Sequence, residues 1–237
     1  MEAENLLARL AEAPGRAAIL LDFDGVLAPI VSRPEDATVP PETRGELERL
    51  VARYALVACV TGRDGEDAAA RIAVDGLVVV GSHGLELNPE AERWVQPLRD
   101  FASSVAWPLE AKRLTLSFHF RDAEDEEAAV RTLDEVAGRA RDEGFVARYG
   151  RKVLEILPPI AANKGSAVRH LLAERGLERA LYAGDDTTDL DGFAALDGLE
   201  LPVRVAVASA EGPAALREAA DVVVDGPAAF LELLRRL

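Results

Sequence analysis

The sequence predicts an α/β fold: a parallel sheet covered on both faces by helices, with a small α+β lobe inserted into it. Along most of the chain, short aliphatic runs alternate with stretches of helical spacing. Uninterrupted apolar strands belong to sheets buried on both faces. The middle of the chain alternates apolar and polar residues instead, as an antiparallel sheet with one wet face does. The 237 residues suffice for one core plus a lobe, and at this length folding buries roughly 70% of the unfolded surface without a staple.

The elements follow in order. Residues 17–22 (AAILLD) read as a buried strand that ends in charge. Leu47, Leu50 and Val51 give 42–54 a helical face. Strands are expected at 55–60 (ALVACV) and 77–80 (LVVV), with a helix over 64–73 between them. Later come a helix over 164–174, a strand at 180–183, a helix over 187–196, and strands at 203–207 and 222–224. Pro227 opens a last helix to Leu237. In the middle, 113–120 places Leu114, Leu116, Phe118 and Phe120 on one face. Further strands are expected at 145–149 and around Val153 and Ile156, with helices over 96–110 and 124–142. The lobe is therefore placed at 85–159 and the core at 1–84 and 160–237. The linkers fall near 84–87 and 158–162, where Gly and Pro interrupt the pattern.

Composition narrows the function. Hydrophobic residues make up 49% of the chain but aromatics only 5%, so the core must be aliphatic and alanine-rich. Twenty-seven basic against 42 acidic residues give a net charge of −15, which argues against the polyanions nucleic acid and anionic membrane as partners. No run approaches the roughly 18 apolar residues of a membrane span. The opening MEAENLLARLAEAPG has no long apolar stretch, and a cytoplasmic location is expected. Cys59 has no second cysteine to pair with and reads as inert core.

Ligands of parallel α/β sheets sit at the carboxyl ends of the strands. Those ends carry Asp22-Phe23-Asp24-Gly25, Thr61-Gly62-Arg63 and Gly184-Asp185-Asp186, with Asp189 following; Lys164 opens the helix after the lobe. Crowded carboxylates want a cation, and an all-oxygen set suits Mg²⁺. A threonine hydroxyl, free N–H groups at a helix start and a lysine suit a phosphoryl group. One carboxylate can act as nucleophile, and another two residues on as general acid and base. A lone Asp-x-Asp is more often a turn than a catalytic pair. Four such segments in order, each at a strand end or helix start, are hard to explain as turns.

DFDGVLAPI, VTGR, NKG and YAGDDTTD resemble the four motifs of the haloacid dehalogenase superfamily over essentially the whole chain. The resemblance implies a Rossmann-like three-layer core with an inserted α+β cap. It also implies Asp22 as nucleophile, Asp24 as acid and base, and Thr61 and Lys164 on the phosphoryl group. Mg²⁺ would be held by Asp22, Asp24 through its carbonyl, and Asp185, with Asp186 and Asp189 in support. Thirty-five residues separate Gly25 from Thr61 and 100 separate Arg63 from Lys164, so the cap must lie in the second gap, as in the sugar-phosphatase branch.

GSHGLE, LEAKRLTLSFHFR, LEILPPIAANKG and GDDTTDLDGF look like the trehalose-6-phosphate phosphatase family. This implies hydrolysis of that sugar phosphate through an aspartyl-phosphate. Gly62, Arg63, His83, Glu110, Lys112 and Glu155 would contact substrate, and the enzyme would be functionally linked to a trehalose-phosphate synthase; the sequence does not give the oligomeric state, and a monomer is expected. Four positions depart from the family: Val26 for Thr, Phe120 for Tyr, Leu190 for Glu, and Leu157 for a basic residue. The alternatives are a phosphatase for sucrose or glucosylglycerol phosphate, and a catalytically silent regulatory lobe. Intact Asp22, Asp24, Lys164 and Asp185 argue against silence. Trp94 and Trp107 read as lobe packing, and His170 as surface.

Overall fold

The computed structural model describes residues 2–31, 33–150, 152–209 and 212–237. The chain divides into two compact units, Met1–Gly84 with Ala162–Leu237, and Leu85–Ala161.

The first unit is built on β1 (Ala17–Leu21), β2 (Leu56–Val60), β3 (Val78–Val80), β8 (Arg179–Gly184), β9 (Leu201–Ala208) and β10 (Val222–Asp225). They form one sheet in the order β10-β9-β8-β1-β2-β3, with every pairing parallel. All residues of β1 and β2 are buried, which explains why neither strand alternates in sequence. Ile19 and Leu21 point into a cluster with Leu7 and Leu10 of α1 (Glu2–Ala11), Leu47 and Leu50 of α2 (Pro41–Arg53), Ile72 of α3 (Gly65–Ile72), and Phe230 and Leu233 of α9 (Gly226–Leu234). Ala18 and Leu20 face the other way, the side covered by α6 (Lys164–Arg175), which packs on β2, and α7 (Asp189–Ala194), which packs on β8.

The second unit carries α4 (Val95–Ser103), α5 (Glu126–Asp142) and a sheet in the order β4-β5-β7-β6. Its strands are β4 (Glu110–Ala111), β5 (Leu116–His119), β6 (Val146–Gly150) and β7 (Val153–Leu157), all antiparallel. Leu116, Phe118, Leu154 and Ile156 pack with Leu98 and Phe101 of α4 and Leu133 and Val136 of α5.

The helix expected over 96–110 stops at Ser103 instead. Pro108 bars Trp107 from the helical region and cannot itself continue the helix, and Glu110 begins a strand. The helix expected from Thr187 starts at Asp189, because the N–H groups of Asp185, Asp186 and Thr187 turn onto aspartate side chains. Two helices were not anticipated: α1, and α8 (Ala214–Ala219). No helix among the described residues is long and apolar enough to cross a membrane.

Candidate active site

Parallel register sets the frame. Leu21 pairs with Cys59 on one side and Ala183 on the other, so Asp22 stands level with Val60 and Gly184, and Thr61 and Asp185 lie one residue beyond. The Asp22 N–H donates to the Ala183 carbonyl at 2.9 Å, which fixes the strand end. The chain then turns back on itself: Leu27 and Ala28 N–H both reach the Phe23 carbonyl. Gly25 makes that turn at φ 74, and a Cβ on it would overlap the Asp185 carboxylate.

The Asn-Lys-Gly segment is a helix start with a separate task for each residue. Asn163 caps α6, its side chain accepting from Ser166 N–H at 2.8 Å while the Ser166 hydroxyl accepts from Asn163 N–H at 3.0 Å. Lys164 is the first helical residue, and Gly165 lets α6 approach the Asp191 carbonyl where a Cβ would collide.

The Lys164 ammonium, 2% exposed, lies 2.7 Å from Asp22 Oδ2 and 2.6 Å from Asp189 Oδ1. Asp189 is fully buried and saturated: Oδ1 also accepts from the Tyr182 hydroxyl at 2.8 Å, and Oδ2 accepts from Asp185 N–H at 2.9 Å and Asp186 N–H at 3.0 Å. Oxygens of Asp22, Asp185 and Asp189 lie within 4.8 Å of one another. Three carboxylates lie against one ammonium in a buried setting, so burial and mutual repulsion both disfavour full ionisation. Burial first, then Asp189, push Asp22 up to about 7 despite the pull of Lys164. Burial, then Asp22 and Asp189, push Asp185 up to about 8. Burial acts against the Lys164 charge, but Asp189 and Asp22 outweigh it and hold the lysine above its ordinary value. An all-oxygen set that resists its own ionisation fits a small hard dication such as Mg²⁺.

Asp186, expected in a supporting part, stands outside this carboxylate group, as does the carboxylate of Asp24, a residue expected to contribute its carbonyl. Asp186 is exposed and accepts from Thr187 N–H at 2.6 Å. Asp24 is gripped by Arg63 through two bonds, Nε to Oδ2 at 2.8 Å and Nη2 to Oδ1 at 2.7 Å. Arg63 also donates to the Pro34 carbonyl at 3.0 Å and lies 4.8 Å over the Phe23 ring. Its guanidinium is thus committed to protein groups. Thr61 is buried, and its hydroxyl oxygen accepts from Arg63 N–H at 3.2 Å. His83 donates its backbone N–H to the Thr61 carbonyl, and its ring lies where a side chain on Gly62 would stand. Ser82 and His83 both hold positive φ, 50 and 53, a strained pair that aligns this segment along Thr61–Arg63.

In the second unit, register aligns four residues across the sheet: Glu110 opposite Ser117, Ser117 opposite Glu155, Glu155 opposite Arg148. They share the face turned away from the Leu116, Phe118, Leu154 and Ile156 packing. Glu110 Oε2 lies 3.2 Å from His119 Nε2, and its Oε1 lies 3.9 Å from Lys112 Nζ. Arg148 Nε donates to Glu155 Oε2 at 2.9 Å. Trp94 packs edge-on to Phe145, Trp107 donates to the His119 carbonyl at 3.1 Å, and His170 is exposed. Sequence reasoning gave Asp189 only a supporting part and missed Arg148. The signal for Arg148 was present in the chain length: two residues between Gly150 and Val153 set the pairing that brings 148 opposite 155.

A family model described as trehalose-phosphatase matches residues 20–106 and 108–223. A trehalose-phosphate phosphatase of Mycobacterium marinum is 33% identical over 214 residues, 80% of this chain and 54% of the relative. An uncharacterized glycosyl hydrolase of Mycobacterium tuberculosis is 36% identical over 210 residues, 76% of this chain but 15% of the relative. The chain thus spans about half, or far less, of the length of these curated relatives. A solved structure of a trehalose-6-phosphate phosphatase related protein superposes with a TM-score of 0.71 at 25% identity, covering 92% of this chain and 95% of that one.

Proposed function

The chain belongs to the trehalose-phosphatase family, and from that premise we propose that it hydrolyses trehalose 6-phosphate to trehalose and phosphate. The observation that carries the reading is the Asp22 carboxylate at the end of β1, held 2.7 Å from the buried Lys164 ammonium and beside Asp185 and Asp189.

Asp22 supplies the attacking oxygen, which bonds to phosphorus as the bond to the sugar oxygen breaks. Asp24 gives its proton to the departing alkoxide, then removes one from the water that opens the aspartyl-phosphate, so that phosphate leaves and Asp22 is restored. The Arg63 fork occupies both Asp24 oxygens, and one of its bonds must break for Asp24 to carry that proton. Lys164 and the Thr61 hydroxyl hold the equatorial oxygens, and Asp189 keeps Lys164 charged and aimed. A Mg²⁺ ion held by Asp22, Asp185 and the Asp24 carbonyl would neutralise charge on the phosphoryl oxygens. In the second unit, Glu110, Lys112 and Glu155 bind the sugar hydroxyls.

The test is phosphate release from trehalose 6-phosphate, sucrose 6-phosphate and glucosylglycerol phosphate, with and without Mg²⁺. Preference for the first, dependent on Mg²⁺ and absent from Asp22→Asn, is the expected result. Preference for another member would reassign the sugar, and no release from any would leave the silent regulatory lobe.

A further inference from the structure

We infer that Arg148 is a positioning residue for sugar recognition, one that fixes the Glu155 carboxylate as a hydroxyl acceptor; this rests on the function proposed above. The Glu155 side chain is 19% exposed, and Arg148, 41% exposed, reaches it from the adjacent strand and donates the hydrogen bond its half-buried carboxylate takes. The bond engages Oε2 and leaves the other oxygen for an incoming hydroxyl. Leu157, two residues along β7 on the same face, is buried and aliphatic and gives Glu155 no cation. Arg148 supplies the missing charge from across the sheet.

The row itself speaks for the substrate class. Glu110, Ser117, Glu155 and Arg148 cross three strand spacings, roughly 14 Å at about 4.8 Å each. The row's two carboxylates, Glu110 and Glu155, stand two strand spacings apart, roughly 10 Å, a span longer than one pyranose ring. Carboxylates at Glu110 and Glu155 are acceptors for ring hydroxyls, and each is oriented by a neighbouring nitrogen base or cation, His119 for the first and Arg148 for the second. An ion pair that solvent still reaches between neighbouring strands ordinarily contributes little to stability, and Arg148 leaves this one open to water. A role in recognition therefore shows in kinetics and not in the melting temperature.

The experiment compares trehalose 6-phosphate with an aryl phosphate that lacks hydroxyls for the lobe. Arg148→Ala should raise KM for trehalose 6-phosphate by about 10-fold or more, with kcat and aryl phosphate hydrolysis near wild type. Arg148→Lys should fall between, since an ammonium orients a carboxylate less well than a fork. In a Glu155→Ala background, Arg148→Ala should add nothing, and Leu157→Arg should restore much of the loss in Arg148→Ala. An unchanged KM in Arg148→Ala would overturn the inference. So would equal losses on both substrates, or a full independent loss in the Glu155→Ala background. Wild-type protein inactive on trehalose 6-phosphate would instead sink the proposed function, and this inference with it. Calorimetric unfolding checks the fold of each variant, and Arg148→Lys keeps the test open if Arg148→Ala does not fold.

Discussion

Asp189→Asn exchanges one oxygen of a saturated carboxylate for an NH₂ group. Each Asp189 oxygen now accepts two donors: Lys164 and Tyr182 on Oδ1, and the N–H groups of Asp185 and Asp186 on Oδ2. Whichever way the amide turns, two donors face a donor. Bonds to a charged acceptor contribute about 1.5–3 kcal/mol each, so losing two costs about 3–6 kcal/mol. Removing one negative charge relieves Asp22 and Asp185, both pushed up in part by Asp189, and this holds the net cost near the lower end, about 3 kcal/mol. For a chain of this size that is a fall in Tm of about 6–12 °C. The assay must report on the right unit. Both tryptophans, Trp94 and Trp107, lie in Leu85–Ala161, so their fluorescence reports on that unit. Cys59 is the single cysteine, fully buried in β2 and paired in register with Leu21. Its labelling by a thiol reagent reports opening of the unit that holds Asp189. Calorimetry should show the drop, Cys59 labelling should quicken, and phosphatase turnover should fall as Lys164 is left to Asp22 alone. A cost below about 1 kcal/mol with Cys59 labelling unchanged would refute the account of Asp189 as the site's structural anchor.

Three further outcomes are expected. Gly25→Ala should abolish turnover while leaving tryptophan fluorescence unaltered, because the added Cβ meets Asp185 at a residue already at φ 74; activity above about a tenth of wild type would mean that the turn can shift at little cost. Mg²⁺ should raise the calorimetric Tm of the wild type by binding the crowded carboxylates of the folded state, and should lose that effect in Asp185→Asn; titration calorimetry checks the binding directly, and equal stabilisation in both proteins would place the ion elsewhere. Glu110→Gln and Lys112→Ala should each cut kcat/KM for trehalose 6-phosphate by about 10- to 150-fold, while aryl phosphate turnover stays near wild type; parallel losses on both substrates would make the second unit a folding support.

What the sequence made legible depended on how far apart the interacting residues lie along the chain. The strands of the first unit could be read because burial on both faces demands aliphatic runs, and β1 and β2 have no exposed position at all. The helix ends near 103 and 189 were harder. In one case Pro108 lacks the N–H and the room to continue a helix, in the other aspartate side chains take the backbone N–H groups, and helical periodicity registers neither. The site residues were legible as types at strand ends, but their partnerships were not. The resemblance implies Arg63 as a substrate contact; what the sequence does not show is that Asp24, 39 positions away, offers a carboxylate in fork geometry to the same guanidinium. The resemblance gives Asp189 a part in support of Asp185, equal to that of Asp186, yet the fold buries it and brings it four donors, Lys164 from 25 positions back among them. The same logic applies to Leu157. Along β7 it is a lost charge, but the β6–β7 register presents Arg148 to the same carboxylate from the other side. A carboxylate takes its cation from whatever lies within hydrogen-bond reach, not at a fixed sequence offset, and for Glu155 that cation is Arg148 on the neighbouring strand.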